Sequence, residues 1–384
     1  MTGGRPAPAK SHHPSEDAVE TAILTIDLDA LIANYRRLRE LAGAAECAAV
    51  VKADAYGLGM AEAAPALRRE GCKTFFVATP GEAKALRELL PDAIIYVLAG
   101  LMPGTAGEFR KHDLRPVLNS TAEIREWAAL SASVGEALPC AVHIDSGMNR
   151  LGLSAAEVET LAAARDLWSA LTLSLVMSHL ACADEPEHPK SEVQRKTFDR
   201  LRALLPKAIT SLANSAGILL GRAYAYDLVR PGIALYGGRP QRHGKHDFAP
   251  VVHLKGRILQ VRDVPAGETV GYGATWTLAR PSRVAIVSVG YADGFFRSLS
   301  VKDSEVGLVA YAGTHAAPIL GRVSMDLITV DVTEVPEAFS RRGEWIELIG
   351  PNVSAQTLAH HAGTIDYEVL TNLGTRAFRR YIGG

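Results

Sequence analysis

The stretch CAAVVKADAYG, Cys47–Gly57, joins an apolar run to a lysine and then to a turn carrying tyrosine and glycine. Ala48, Ala49, Val50 and Val51 read as a buried strand, Lys52 ends it, and Tyr56 and Gly57 follow in the loop. The same pattern recurs downstream as TFFVAT from Thr74, AIIYVLAG from Ala93, LRPVLN from Leu114, CAVHID from Cys140, LSLVMSH from Leu173, ITSLANS from Ile209 and YDLVRPG from Tyr226. Most of these runs lead into an Ala/Leu-rich amphipathic stretch, such as GEAKALRELL, STAEIREWAALSAS or SEVQRKTFDRLRALL. Eight strand–helix units predict an α/β fold, a (β/α)8 TIM-like barrel. A doubly wound open sheet is the competing arrangement, because periodicity alone does not close a barrel.

From about Phe248 the texture changes. VVHLKGRILQVRDV, SRVAIVSVGYADG, EVGLVAYAG and HAAPILGRVSMDLITVDVT are β-rich, with glycine and proline between them, and predict a mostly β C-terminal domain. The expected organisation is a flexible tail over residues 1–21, a barrel over 22–246 and a β-rich domain over 247–384, with GRPQRHGKHD, 238–247, as linker. Ahead of the barrel, TAILTIDLDALIANYRRLRELAG reads as a strand and a helix, with Asp29 as N-cap and Gly43 as the stop. Near the end, SAQTLAHHAG reads as a helix capped by Ser354 and ended by Gly363, followed by DYEVLTNLG.

The chain has 384 residues, 48% of them hydrophobic and 22% charged, with a formal net charge of −1. That balance gives no bulk attraction to nucleic acid or anionic membrane. No apolar run approaches the roughly 20 residues that span a bilayer. The polar N-terminal segment lacks the apolar stretch of a secretory signal. The histidines of its SHH read as solvated, and no metal site is expected. The four cysteines, Cys47, Cys72, Cys140 and Cys182, are widely spaced with no CxxC, and read as reduced thiols of a cytoplasmic protein.

Active sites of such barrels lie at the C-terminal ends of the strands. Strand one ends in Lys52, with Tyr56 in its loop. Strand five gives His143 and Asp145, then SGMNR with Arg150. Strand six ends in His179, strand seven in Asn214 and Ser215, and strand eight in Arg230, Pro231, Gly232 and Ile233. Singly, each has a structural reading: a solvated strand-end lysine, a satisfied histidine, a helix cap, a loop tie. Together they make a rim rich in cations and poor in acids, which points to an anionic ligand. Gly-rich loops after the last two strands of a barrel commonly hold phosphate, and NSAG and RPGIALYG stand there. A lysine facing a phosphate pocket suggests a Schiff base with pyridoxal phosphate.

On VVKADAYG, HIDSGMNRLG, MSHLACADE, ANSAG, RPGIALYG, GYADG, GRVSMD and DYEVLT, in order from about Thr21 to Tyr381, the chain resembles the alanine racemases, fold-type III pyridoxal-phosphate enzymes. The resemblance implies interconversion of L- and D-alanine, supplying D-alanine for peptidoglycan. It implies Lys52 as the residue bonded to pyridoxal 5'-phosphate and as one catalytic base, and Tyr291 as the second base. It implies Arg230 at the pyridine nitrogen, with His179 linking Arg230 to Tyr291. Tyr56, Ser215, Gly232, Ile233 and Tyr367 would hold the phosphate, and Arg150 and the Met325 amide the substrate. It also implies a head-to-tail homodimer in which Tyr291 and Met325 reach the partner's barrel. Serine is a further substrate to consider. A decarboxylase of basic amino acids would put an acid where Arg230 stands, and a single-barrel pyridoxal-phosphate carrier would lack Tyr291. One departure concerns His143: many members carry there a lysine carbamate that holds the arginine matching Arg150, and histidine cannot form that group. Asp145 reads either as the residue orienting Arg150 or as a turn cap.

Overall fold

The first apolar run behaves as its residues require: β2 (Glu46–Cys47) and β3 (Ala49–Val50) are one strand interrupted at Ala48, and that strand is the seam at which the barrel closes. The computed structural model describes residues 19–244, 248–303, 305 and 307–384, so the expectation of a tail over 1–21 and the boundary at 246/247 fall largely outside the described residues.

Two units emerge. One combines Thr25–His253 with Ile349–Leu373 and Tyr381–Gly384; the other combines Leu254–Leu348 and Gly374–Arg380 with the described residues before Thr25. In the first, β3 is followed by β4 (Thr74–Val77), β5 (Ile94–Val97), β6 (Arg115–Leu118), β7 (Leu138–His143), β8 (Leu171–Met177) and β9 (Ile209–Ser211), all parallel and paired in sequence order. β10 (Leu228–Val229) then pairs with β2. The Val50 amide donates to the Pro231 carbonyl at 3.0 Å, and Arg230 donates back to Ala213 at 2.9 Å. These bonds join the eighth strand to both the first and the seventh, so the ring is closed. The eight runs read from sequence are its eight strands, and the open-sheet alternative is excluded.

Both faces of these strands are covered, which is why they are continuously apolar. Every residue of β4, TFFV, is buried. The helices between them begin where the sequence offers caps: Thr79 and Ser154 form capping boxes with Glu82 and Glu157, and Ser120 accepts from the Glu123 amide. The helix Leu28–Ala42 is capped by Asp27, whose carboxylate accepts from Ala30 at 2.9 Å, and not by Asp29. The helix starts two residues earlier because Leu28 is buried with Leu31 and Tyr35 on one face. Ser354 and Gly363 bound the helix Ala355–Ala362 as their residue types imply. That helix and Asp366–Asn372 compact with the barrel, although they follow the β-rich segment in sequence.

The second unit is built on an antiparallel sheet. β1 (Ala22–Asp27) lies between β11 (Val252–Val264) and β19 (Phe378–Ile382). A small pair, β12 (Thr269–Val270) and β13 (Trp276–Thr277), stands apart. β14 (Ser282–Val287), β15 (Val309–Ala312), β16 (His315–Leu320), β17 (Ile328–Asp331) and β18 (Trp345–Ile349) complete the sheet in the order β14-β17-β16-β15-β18-β11, and β14 also pairs with β11. A register shift between Ile258 and Gln260 bends β11 where it meets β14. Among the described residues, no helix is long and apolar enough to cross a membrane.

Cys47, Cys72 and Cys140 are buried and Cys182 is partly exposed, none of them in a disulfide. Burial pushes the three buried thiols well above their ordinary range. Thiolate is the reactive form, so Ellman's reagent should modify Cys182 alone in the native protein and all four thiols after denaturation.

Candidate active site

The ends of the barrel strands open into a cavity of about 720 Å³. It is lined by Lys52, Tyr56, His143, Arg150, His179, Asn214, Ser215, Arg230, Gly232, Ile233 and Tyr367, together with apolar residues that include Phe76 and Met177. Of the barrel-side residues that sequence reading placed at the rim, all but Asp145 and Pro231 therefore line one cavity.

Lys52 reaches it through an unusual piece of backbone. Ala53, Asp54, Ala55 and Tyr56 all have φ between 52° and 57°, a full left-handed turn built from L-residues. Each such residue costs roughly 1–2 kcal/mol, so the turn persists only because its surroundings hold it. The Asp54 carboxylate accepts from Met60 at 2.7 Å, its carbonyl accepts from Gly59 at 2.9 Å, and the Glu82 carboxylate accepts the Ala53 amide at 2.7 Å. Tyr56 is buried and stacks on Tyr236 with centroids 4.8 Å apart; Tyr236 in turn donates to the Val50 carbonyl at 2.9 Å. Gly57 closes the turn at φ 83°, and a Cβ there would collide with the Leu370 carbonyl.

Opposite lies a cluster of donors. The Ser215 hydroxyl accepts from Gly232 at 2.8 Å and from Ala234 at 3.3 Å, so two backbone N–H groups aim at one point. A Cβ on Gly232 would strike the Tyr56 hydroxyl, which places that hydroxyl against the same backbone. The Tyr367 ring is 6.2 Å from that of Tyr56. Neither tyrosine hydroxyl nor the Lys52 amine bonds another described residue. Burial raises both tyrosines above their ordinary pKa, so both are neutral donors at pH 7.

Arg230 forms part of the wall at 3% exposure. Its guanidinium donates to the Ser211 hydroxyl, to the Ser178 carbonyl at 2.6 Å and to the Leu212 carbonyl at 3.5 Å, and lies 5.9 Å from the centre of the Phe76 ring. None of the ion pairs among the described residues involves it. Burial lowers its pKa to about 9, which leaves it charged at pH 7. It also contacts His179 Nδ1 at 3.5 Å. Arginine can only donate, so this Nδ1 accepts and the His179 proton sits on Nε2. Burial and then Arg230 push the His179 pKa well below its ordinary value. The Lys52 pKa is lowered by burial first and then by Arg150, with Glu82 opposing them.

His143 is fixed from behind. Asn119 donates through Nδ2 to the Val117 and Leu98 carbonyls at 2.8 and 3.3 Å, so its Oδ1 faces His143 Nδ1 at 2.8 Å. A carbonyl oxygen only accepts, so His143 carries its proton on Nδ1, and Nε2 is a lone-pair acceptor. Asp145 caps a turn: its carboxylate accepts from Gly147, Met148 and Asn149 at 2.8–3.1 Å. It does not bond Arg150, which is exposed on the cavity rim and makes no hydrogen bond or ion pair among the described residues. Further along, Asp184 and Glu185 pair with Arg242 at 3.0 and 2.7 Å.

Tyr291 and Met325 belong to the β unit, where the fold brings them together. Tyr291 donates through its amide to Ser324 and Ala292 to Met325, both at 3.0 Å, and Gly290 leaves no space for a Cβ against the Met325 carbonyl. Arg376 clamps both loops, with two bonds of 2.7 Å to buried Asp293 and one of 2.5 Å to Asp326. Tyr291 and Met325 themselves are 42% and 53% exposed, on a backbone held by these bonds. Ser324 bonds Leu327 within its own loop. Sequence reading missed Glu82, Asn119, Ser211 and Arg376. Each acts by contacts distant in sequence, and only the acidic N3 position of Glu82 carried a local signal, its capping box.

A barrel with a cation-lined cavity and an accompanying antiparallel β unit marks a class of two-part enzyme. Models of the alanine racemase N-terminal domain and C-terminal domain match residues 26–240 and 251–381. The alanine racemase of Methylobacterium sp. strain 4-46 is 50% identical over 94% of this chain and 98% of its own. A catabolic alanine racemase of Mesorhizobium japonicum is 47% identical over 97% and 96%. The crystal structure of alanine racemase from Bartonella henselae with covalently bound pyridoxal phosphate superposes with a TM-score of 0.90 at 40% identity, covering 94% of this chain and 99% of that one. The chain belongs to the alanine racemase family.

The folded state holds His143 near a pKa of about 4, lowered by burial first and then by Arg230, whereas an unfolded histidine titrates near 6.5. Between these values the unfolded chain binds more protons, so stability is complete above about pH 6.5 and falls as pH drops through the window. Relative to a His143→Gln variant, this acid-linked loss should approach roughly 3 kcal/mol near pH 4, read from urea unfolding at a series of pH values.

Proposed function

We propose that this chain is a pyridoxal 5'-phosphate-dependent racemase that interconverts L- and D-alanine and supplies D-alanine for the cell wall. One observation carries the reading. A lysine held on a strained turn shares a cavity with a cluster of neutral donors and a buried arginine, and among the described residues no carboxylate bonds that arginine.

The residues fit the cofactor. The Ile233 amide and the hydroxyls of Ser215, Tyr56 and Tyr367 suit a phosphate, which needs donors, and the Gly232 amide fixes the Ser215 oxygen among them. Lys52 offers the amine for the cofactor's aldehyde carbon. Arg230 would face the ring nitrogen as a donor, and a guanidinium could not take a proton from it. When bound, pyridoxal phosphate links to the substrate amine and withdraws electron density from Cα, which eases loss of the Cα proton.

The chain's own residues then divide the proton work. Lys52 Nζ takes or returns the Cα proton on one face, helped by burial and by Arg150, both of which favour its neutral form. The Tyr291 hydroxyl does the same on the other face. A tyrosine titrates near 10 in water, and a donor such as His179 Nε2–H, set by Arg230, favours its phenolate. Arg150 and the Met325 amide hold the substrate carboxylate. His143 offers its Nε2 lone pair within the cavity, the neutral counterpart of an anionic support for Arg150. The exposure of Tyr291 and Met325 suits a head-to-tail homodimer in which the β unit of one chain serves the barrel of the other.

Lys52→Ala should abolish the cofactor absorbance band. Tyr291→Phe should keep the band and lower racemisation in both directions by about 10²–10⁴. Unchanged turnover in Tyr291→Phe contradicts the second base. D-Alanine release from L-alanine, compared with D-serine release from L-serine, reads the substrate. The molecular mass in solution reads the dimer.

A further inference from the structure

Three backbone N–H groups converge on one carboxylate beside the strained turn. Glu82 Oε1 accepts from Ala53 at 2.7 Å; Oε2 accepts from Ala78 at 2.7 Å and from Thr79 at 3.1 Å. Glu82 is the third residue of the helix Pro80–Leu89, and its own amide donates to the Thr79 hydroxyl at 3.3 Å. A capping box explains the bonds to Thr79. It does not explain the bond to Ala53, which lies 29 residues away on the neighbouring βα loop.

The Ala53 amide belongs to the peptide plane that directly follows the Lys52 Cα. Holding that N–H therefore sets ψ of Lys52 and the start of the left-handed turn together. The chemistry also selects the residue type. Two acceptor oxygens facing three donors require a carboxylate, because glutamine would turn its NH2 towards one set of N–H groups. We propose that Glu82 is the positioning residue for Lys52: its carboxylate ties the backbone after Lys52 to the end of β4. This rests on Lys52 as the cofactor-bonding lysine. Glu82 is also the one acid whose field opposes the cationic cavity at Lys52.

The test compares Glu82→Gln with Thr79→Ala, which removes the helix cap but leaves the bond to Ala53. Hydrogen exchange of the 52–58 peptide is read in the purified protein, and the pH midpoint of Lys52 acetylation by acetic anhydride in the full chain stripped of cofactor. In Glu82→Gln the peptide should exchange at least about tenfold faster, and the Lys52 midpoint should move to lower pH because a nearby negative charge is lost. Thr79→Ala should lower Tm with both readouts unchanged. Should Glu82→Gln not fold, Glu82→Asp shortens the reach by one methylene while keeping the charge, and the exchange rate alone should rise. Parental exchange in whichever glutamate variant folds, or equal changes in Thr79→Ala, overturns the proposal. Neither readout depends on turnover, so failure here is separable from failure to racemise alanine.

Discussion

A guanidinium buried without a carboxylate is an expensive arrangement, and the barrel is organised around one. An unpaired charge taken out of water costs several kcal/mol unless other groups replace its hydration. Arg230 meets that requirement with the Ser211 hydroxyl, the Ser178 and Leu212 carbonyls and the face of Phe76, all of them neutral. Its field then radiates into the cavity. Burial first, and then this charge, keep His179 and His143 uncharged, and the guanidinium fixes the proton of His179 on the nitrogen away from itself. With Arg150 close enough to depress Lys52 as well, the site is an electrostatic trap for anions.

Strain is the second organising feature. Four successive residues in the left-handed region would unwind in isolation. Here the turn is held at both ends and from below, by Glu82, by Asp54 and by the Tyr56–Tyr236 stack. Rigidity of this kind places the Lys52 amine and the Tyr56 hydroxyl in one cavity with little freedom left to lose on binding. In the β unit the same purpose is met differently. Arg376, bonded to Asp293 and Asp326, fixes two loops on which the Tyr291 and Met325 side chains remain exposed.

Much of this was legible in the chain. The eight apolar runs are the eight strands, because a strand buried on both faces must be apolar throughout. The rim residues were found by asking which polar groups end those runs, since strand ends of a parallel barrel share one face. The reading went astray where the decisive partner was remote or the competition local. Asp27 outbid Asp29 as a cap because the buried face of the helix begins at Leu28. For Asp145, whose two roles the sequence left open, three amides within reach settle it as the cap of its own turn. Asn119 and Ser211 carry no motif, and the capping box of Glu82 does not announce its bond to Ala53; their meaning comes from the strands and loops they face.

The sequence by itself determined the repeating strand–helix order, the polar residues that end each strand and the imbalance of cations over acids at that rim, because periodicity and residue chemistry are local. Only the tertiary structure decided that the ring closes between Val50 and Pro231, which nitrogen of each histidine carries the proton, and that the lysine sits on a left-handed turn tied to Glu82. Those outcomes depend on hydrogen bonds between residues far apart in the chain, whose geometry exists only once the barrel has brought its strand ends together.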